Sequence, residues 1–453
     1  MTHEPPKQRL LSATLTNAIV QVWQYASAFG SGIITARWLG LDEKGAYRLI
    51  TMVPTIVFMF SELGLGAATV YVLGKKRFDI ASTFGHLIWA CPAAGALGFG
   101  GYYLLLPTLE RTVLSGVPHE CLIAVGLSVP LTLLAFLIGH LLLATDQYRH
   151  YNLGLSVAAT IKLIALFFLI VVSSGGLLAA TFAWIIGEAC HVAYVLWRAA
   201  RVVRPSFRID FSWLKAFLRY GIQVQIVGLF LLANLQSDTL LLSHFSGEDK
   251  SLVGLYAVSM SVSTLLLFIP MAASVILTPK LSASSQEDAA KLTCLSLRCT
   301  LWVGILCGLG LAVVSWWIVP FAFGEPFRQS LPALWILIPG AVLYGESRIL
   351  GSYLNMQGKP FINAMGGAAA LLVNVSLTIW LVPSLWGVGS AFGSLFSYVA
   401  YFTVLTLSFR ALTGCGLREI LIPSKEDWDD FCARIQSLRG RQPSTRSQKG
   451  EKV

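Results

Sequence analysis

Gly45-Ala46-Tyr47 opens the second apolar run of this chain, and Gly254-Leu255-Tyr256 opens the eighth, 209 positions later. The echo recurs downstream. Asn152 returns as Asn363 and Gly176 as Gly387, both 211 positions on. A near-constant offset across six apolar runs marks an internal repeat. An even number of spans returns a chain to its starting side, so the two halves point the same way. Their pseudo-twofold axis then runs along the membrane normal, with a cavity where they meet. That is the architecture of a transporter.

Composition agrees. Hydrophobic residues are 55% of the 453 and charged residues 12%, at a mean hydropathy of +0.69. A soluble domain carries about 25% charged residues, so the chain reads as an integral membrane protein. With roughly 20 residues per crossing, twelve spans are expected near 11–37, 46–73, 80–106, 119–144, 151–173, 176–198, 212–243, 252–279, 292–320, 330–355, 361–382 and 386–413. The expected fold is all-α and polytopic, with two pseudo-twofold-related six-helix lobes. Residues 1–198 form the first lobe, 199–211 a basic linker, 212–415 the second lobe, and 416–453 a surface helix and tail. The helix is placed at 424–438, where Ser424 and Asp427 fit a capping box and Trp428, Phe431, Ile435 and Leu438 recur at helical spacing. The first run is too long for a signal-peptide core and is expected to be retained. Cys91, Cys121, Cys190, Cys299 and Cys307 fall inside apolar runs and are read as small core residues.

The net charge of +10 is explained by position rather than by nucleic acid. Lys75, Lys76, Arg77, Arg149, Arg198, Arg201, Arg204, Arg208, Lys280, Lys291 and Lys359 fall in loops on one side, with both termini. The opposite loops hold Lys44, Arg111, Lys250 and Arg328. The positive-inside rule places both termini in the cytoplasm.

Charged residues within spans are costly and each needs a partner or water. Lys162 and Glu188 lie at equal distances from the turn joining their helices, so they are expected to face each other near mid-membrane. They form either a structural ion pair or a protonatable, substrate-steering site. Arg219, Arg298 and Arg348 lie about two helical turns inside the basic side, with Glu346 near Arg348. Such a patch suits an anionic group such as a pyrophosphate, which guanidinium binds in a bidentate manner; the competing reading is snorkelling. Span one carries Asn17, Gln21, Gln24, Ala28, Ser31 and Thr35 on one face, and span seven carries Gln223, Asn234 and Asp238. Both are read as cavity walls. Asp238 either carries a proton or hydrogen-bonds Asn234. Glu62 is either a coupling carboxylate or a partner for Arg37 or His86.

The single Glu188-x-x-His191 falls short of a metal site, which needs the motif twice. No nucleotide loop, nucleophile elbow or zinc motif is present, and the loops are too short for a catalytic domain. No enzyme, cofactor or nucleic-acid partner is expected.

Ala36-Arg37-Trp38-Leu39-Gly40, Gly45-Ala46-Tyr47 and Glu62-Leu63-Gly64-Leu65-Gly66 resemble the opening of bacterial polysaccharide flippases of the O-antigen type. These belong to the multidrug/oligosaccharidyl-lipid/polysaccharide exporter (MOP) superfamily. The resemblance covers about residues 10–415. It implies two lobes in a V, spans one and seven lining the cavity, and alternating access in the bacterial inner membrane. It implies an undecaprenyl-pyrophosphate-linked glycan as cargo, membrane lipid as surroundings, and a polysaccharide polymerase and glycosyltransferases as partners. Basic cavity residues would meet the pyrophosphate, and Arg37 matches the motif arginine. Span one lacks the acidic residue of many multidrug extruders, and the chain lacks room for the two extra spans of lipid II flippases. A multidrug or small-solute antiporter on the same fold is the alternative.

Overall fold

Leu39-Gly40-Leu41 is where the first long helix changes course. Gly40 adopts φ 79° and ψ −172°, outside the helical region, which a residue without Cβ reaches without strain. The helix containing it, α1 (Pro6–Glu62), therefore carries the first expected span and the larger part of the second. The computed structural model describes residues 6–75, 78–207 and 211–422, so the surface helix expected at 424–438 and the basic tail lie outside it. The first half continues with α2 (Leu65–Gly74), α3 (Ile80–Arg111), α4 (His119–Gly126), α5 (Ser128–Ala144), α6 (Tyr148–Leu166) and α7 (Gly176–Val202). The second half holds α8 (Phe211–Ser246), α9 (Ser251–Ser263), α10 (Phe268–Ala283) and α11 (Gln286–Phe323). It ends with α12 (Leu331–Met356), α13 (Pro360–Leu385), α14 (Gly387–Thr413) and the short α15 (Leu417–Leu421). Every regular element among the described residues is helical, as a lipid environment requires. Nine helices among them are long and apolar enough to cross a membrane. The number is eleven when α1 with α2, and the two limbs of α8, each count as one bent span.

The echoed residues fall at equivalent places. Asn152 and Asn363 lie near the starts of α6 and α13, and Gly176 and Gly387 open α7 and α14. Gly45 and Gly254 do more: they meet each other. A Cβ on Gly45 would lie 1.8 Å from the Lys250 carbonyl oxygen, and one on Gly254 would lie 2.2 Å from that of Leu41. The two halves touch here backbone to backbone. The Lys250 amide donates to Asp42 Oδ1 across the same contact (2.9 Å). Lys44 and Lys250, expected as loop charges, are instead buried. The Lys44 ammonium donates to Thr35 Oγ1 (2.6 Å), and that of Lys250 to Ser243 Oγ (2.9 Å) and the Gly247 carbonyl. At the other face α2 meets the first limb of α8. A Cβ on Gly64 would meet the Gly221 carbonyl at 2.0 Å, and Tyr71 stacks on Tyr220 with ring centroids 4.0 Å apart. The halves are thus joined at both faces. Cys299 and Cys307, expected in the core, are exposed on α11.

Candidate functional site

Two polar cavities flank α1. The first, of 310 Å³, lies in the second half and is lined by Gln21 of α1, Tyr344, Arg348 and Asn355 of α12, Asn363 of α13 and Tyr401 of α14. Tyr344 and Asn355 are eleven residues apart, so the cavity runs about 16 Å into the molecule from the basic end of α12. Arg348 is the charged residue among its described lining. The phenols of Tyr25, Tyr344 and Tyr401 sit in its field. Tyr401 donates to Asn363 Oδ1, and Tyr25 to Met271 Sδ (2.8 Å), which fixes the rings around the guanidinium. One cation surrounded by phenols and amides binds anionic oxygens, with the guanidinium fork taking two at once.

The second cavity, of 320 Å³, lies in the first half and includes Gln24, Thr132, Tyr151, Lys162, Glu188 and His191. Lys162 and Glu188 share it and feel each other's charge. They are not among the direct ion pairs found in the described residues, which are surface pairs such as Lys291–Glu287. The Lys162 ammonium lies instead 4.7 Å from the Trp184 ring centroid. No cluster of metal-ligating groups occurs among the described residues.

The polar face of α1 divides by residue size. Gln21 and Gln24 open on the two cavities, whereas Ser31 and Thr35 are buried and return their hydroxyls to the carbonyls four residues back (both 2.7 Å). On α8, Asn234 and Asp238 are buried in packing rather than lining either cavity. The Asn234 carbonyl accepts from Asn374 (3.2 Å). The Asp238 carboxylate accepts from Tyr256 Oη (2.6 Å), Ser394 Oγ (2.5 Å) and the Thr239 amide (2.6 Å), not from Asn234. The side chain of Gln223 lies outside the described set.

The remaining charges separate. Arg37 donates through Nε to the Ala322 carbonyl (2.8 Å) and through Nη2 to that of Phe321, satisfying the last turn of α11. Glu62 takes the amide of Gly66 (3.2 Å) at the start of α2, rather than Arg37 or His86. Glu346 accepts from Thr300 Oγ1 (2.7 Å) and points away from Arg348, as residues two apart on a helix do. Arg298 lies beside Cys294, and Arg219 is exposed on α8; neither lines the Arg348 cavity. The expected trio of arginines therefore reduces to one in the cavity.

Sequence reasoning missed Tyr344, Tyr401 and Arg48. Tyr344 stands one helical turn before Arg348, a spacing that could have revealed it. Arg48 of the first half donates to Gln236 Oε1 in the second (3.0 Å), and its charge faces Asp238. It follows Tyr47 of the opening echo directly.

A family model described as "Polysaccharide biosynthesis protein" matches residues 34–332. The chain belongs to this family. The resemblance read from the opening motifs holds, and the fold of this polysaccharide biosynthesis protein is that of the MOP superfamily. It is similar to the lipid II flippase MurJ in an inward closed conformation (TM-score 0.73, 14% identity, 95% of this chain and 94% of that one). It is also similar to an inward-facing multidrug resistance MATE family transporter (TM-score 0.71, 14% identity, 88% and 98%). A further match is a MOP superfamily transporter from Pyrococcus furiosus described by the reverse polarity of its binding pocket (TM-score 0.60, 14% identity, 90% and 97%). No curated protein sequence matches the chain significantly.

Proposed function

We propose that this protein is a flippase for an undecaprenyl-pyrophosphate-linked oligosaccharide, carrying it from the cytoplasmic to the outer leaflet by alternating access for surface polysaccharide synthesis. The observation that carries this reading is the Arg348 cavity. Its one described charge is cationic, ringed by phenols and amides, and it runs inward from the basic face. A pyrophosphate finds a bidentate donor there, whereas a cationic drug finds no carboxylate among the described lining residues. This is why a multidrug antiporter is the weaker reading. Lys75, Arg198, Arg201 and Arg204 at that face support its assignment to the cytoplasm, with both termini, in a bacterial inner membrane.

The test is reconstitution. Proteoliposomes are loaded with a fluorescent undecaprenyl-pyrophosphate-linked glycan, and its passage between leaflets is followed by quenching. The wild type is expected to accelerate passage. Arg348→Gln is expected to slow it tenfold or more, the loss of one charge-assisted bidentate contact being about 1.5–3 kcal/mol. Liposomes that expel cationic dyes but leave the lipid in place would overturn the proposal.

A further inference from the structure

We propose that the cavity between α1, α5, α6 and α7 is the sugar-recognition subsite, separate from the pyrophosphate end at Arg348. The inference rests on the flippase reading above and assigns the part of the cargo that Arg348 does not address.

The cavity's chemistry is that of a polyol site. Lys162 offers donors, Glu188 acceptors, and Gln24 both, while Tyr151 and Phe136 present ring faces and edges. Hydroxyls of a pyranose both donate and accept, and its C–H faces pack on aromatic rings. The two charges cancel, so no net field selects for an ion. They are also kept apart: Lys162 rests against Trp184 rather than on Glu188. A half-buried lysine and glutamate that do not touch are incompletely compensated when empty and are preorganised for a neutral polar guest. Thr132 adds a hydroxyl beside the Glu188 carboxylate, a further donor and acceptor at the cavity wall.

The room is made by small residues. Ala158, Ala159 and Gly187 line the cavity, and a Cβ on Gly187 would already press within 3.0 Å of Lys162 Cβ. At 320 Å³ the space is near the lower end of ligand pockets, roughly 300–1,000 Å³. That admits a ring or two, not a whole glycan. Position links the two sites. Gln21 and Gln24 are three residues apart on α1, about 4.5 Å along its axis, so a single cargo can hold its pyrophosphate on one side of α1 and its first sugars on the other.

The experiment titrates the purified protein by native mass spectrometry with two probes. One is undecaprenyl pyrophosphate; the other is the pool of lipid-linked oligosaccharides extracted from the cells that make the protein. Wild type is expected to prefer the glycan-bearing lipids. Glu188→Gln and Lys162→Met are expected to weaken the glycan-bearing probe about tenfold or more and the bare probe less than twofold. Thr132→Val, which leaves both charges in place, should move the same way and guards against misfolding of the charge variants. Arg348→Gln should weaken both probes alike. Equal losses on both probes, or none, for Glu188→Gln and Thr132→Val overturn the subsite while leaving the flippase reading standing. A wild type that binds neither probe overturns both.

Discussion

Gly45→Ala tests the contact on which the two halves close. The new Cβ would sit 1.8 Å from the Lys250 carbonyl oxygen. An ordinary C···O approach is about 3.3 Å, so the backbones must part by about 1.5 Å, and a peptide oxygen cannot rotate away as a side chain would. Overpacking of this kind costs about 1–3 kcal/mol, and the higher helix propensity of Ala acts equally on the open and closed forms. Closure is therefore opposed by roughly 1–3 kcal/mol, a factor of about 5–150 in the closed population. The Lys250 amide, bonded to Asp42 across this contact, reports it directly. Its hydrogen exchange should quicken about tenfold in Gly45→Ala. Gly254→Ala should act alike, and the double variant less than additively, because one separation relieves both clashes. Gly310→Ala is the control: nothing lies within 4 Å of its Cβ, and it should be as stable as wild type or more so. Unchanged exchange at Lys250 in Gly45→Ala would refute the close contact.

Three further outcomes follow from the same interfaces. Arg37→Ala frees the last carbonyls of α11 and should lower thermal stability by about 1–3 kcal/mol without changing affinity for undecaprenyl pyrophosphate; a selective loss of affinity would restore Arg37 as a substrate contact. Arg48→Gln and Asp238→Asn should show a coupling of about 1 kcal/mol in a double-mutant cycle, and strict additivity would remove Arg48 as a link between halves. Burial holds the Lys250 ammonium down to about 8, against the opposing pull of Asp42, Asp249 and Glu248. The unfolded chain then binds more protons between about pH 8 and 10, so stability should rise over that window as the buried charge is lost. Lys250→Met should lack this rise, and matching thermal profiles for the two proteins would count against it.

The membrane class, helix order and repeat were legible because lipid admits few solutions: long apolar runs must be helices, and the loops between them must be polar. The motif resemblance was legible for the same reason, resting on glycines whose spacing survives without neighbours in view. What the chain could not show was the direction in which each polar side chain points. Arg37 and Arg348 are both single arginines in apolar surroundings, yet one closes a helix end and the other lines a cavity. Gln21 and Gln24 looked like one stripe, and α1 divides them between two cavities. Lys44 and Lys250 counted as loop charges until the crossing helices buried them.

The echo of Gly45 in Gly254 carried the plan of two like halves. That these two glycines touch is a fact of the assembled molecule. Periodicity along a chain records which face of a helix is polar, and only packing against the other half decides whether that face meets carbonyls, another charge or open space.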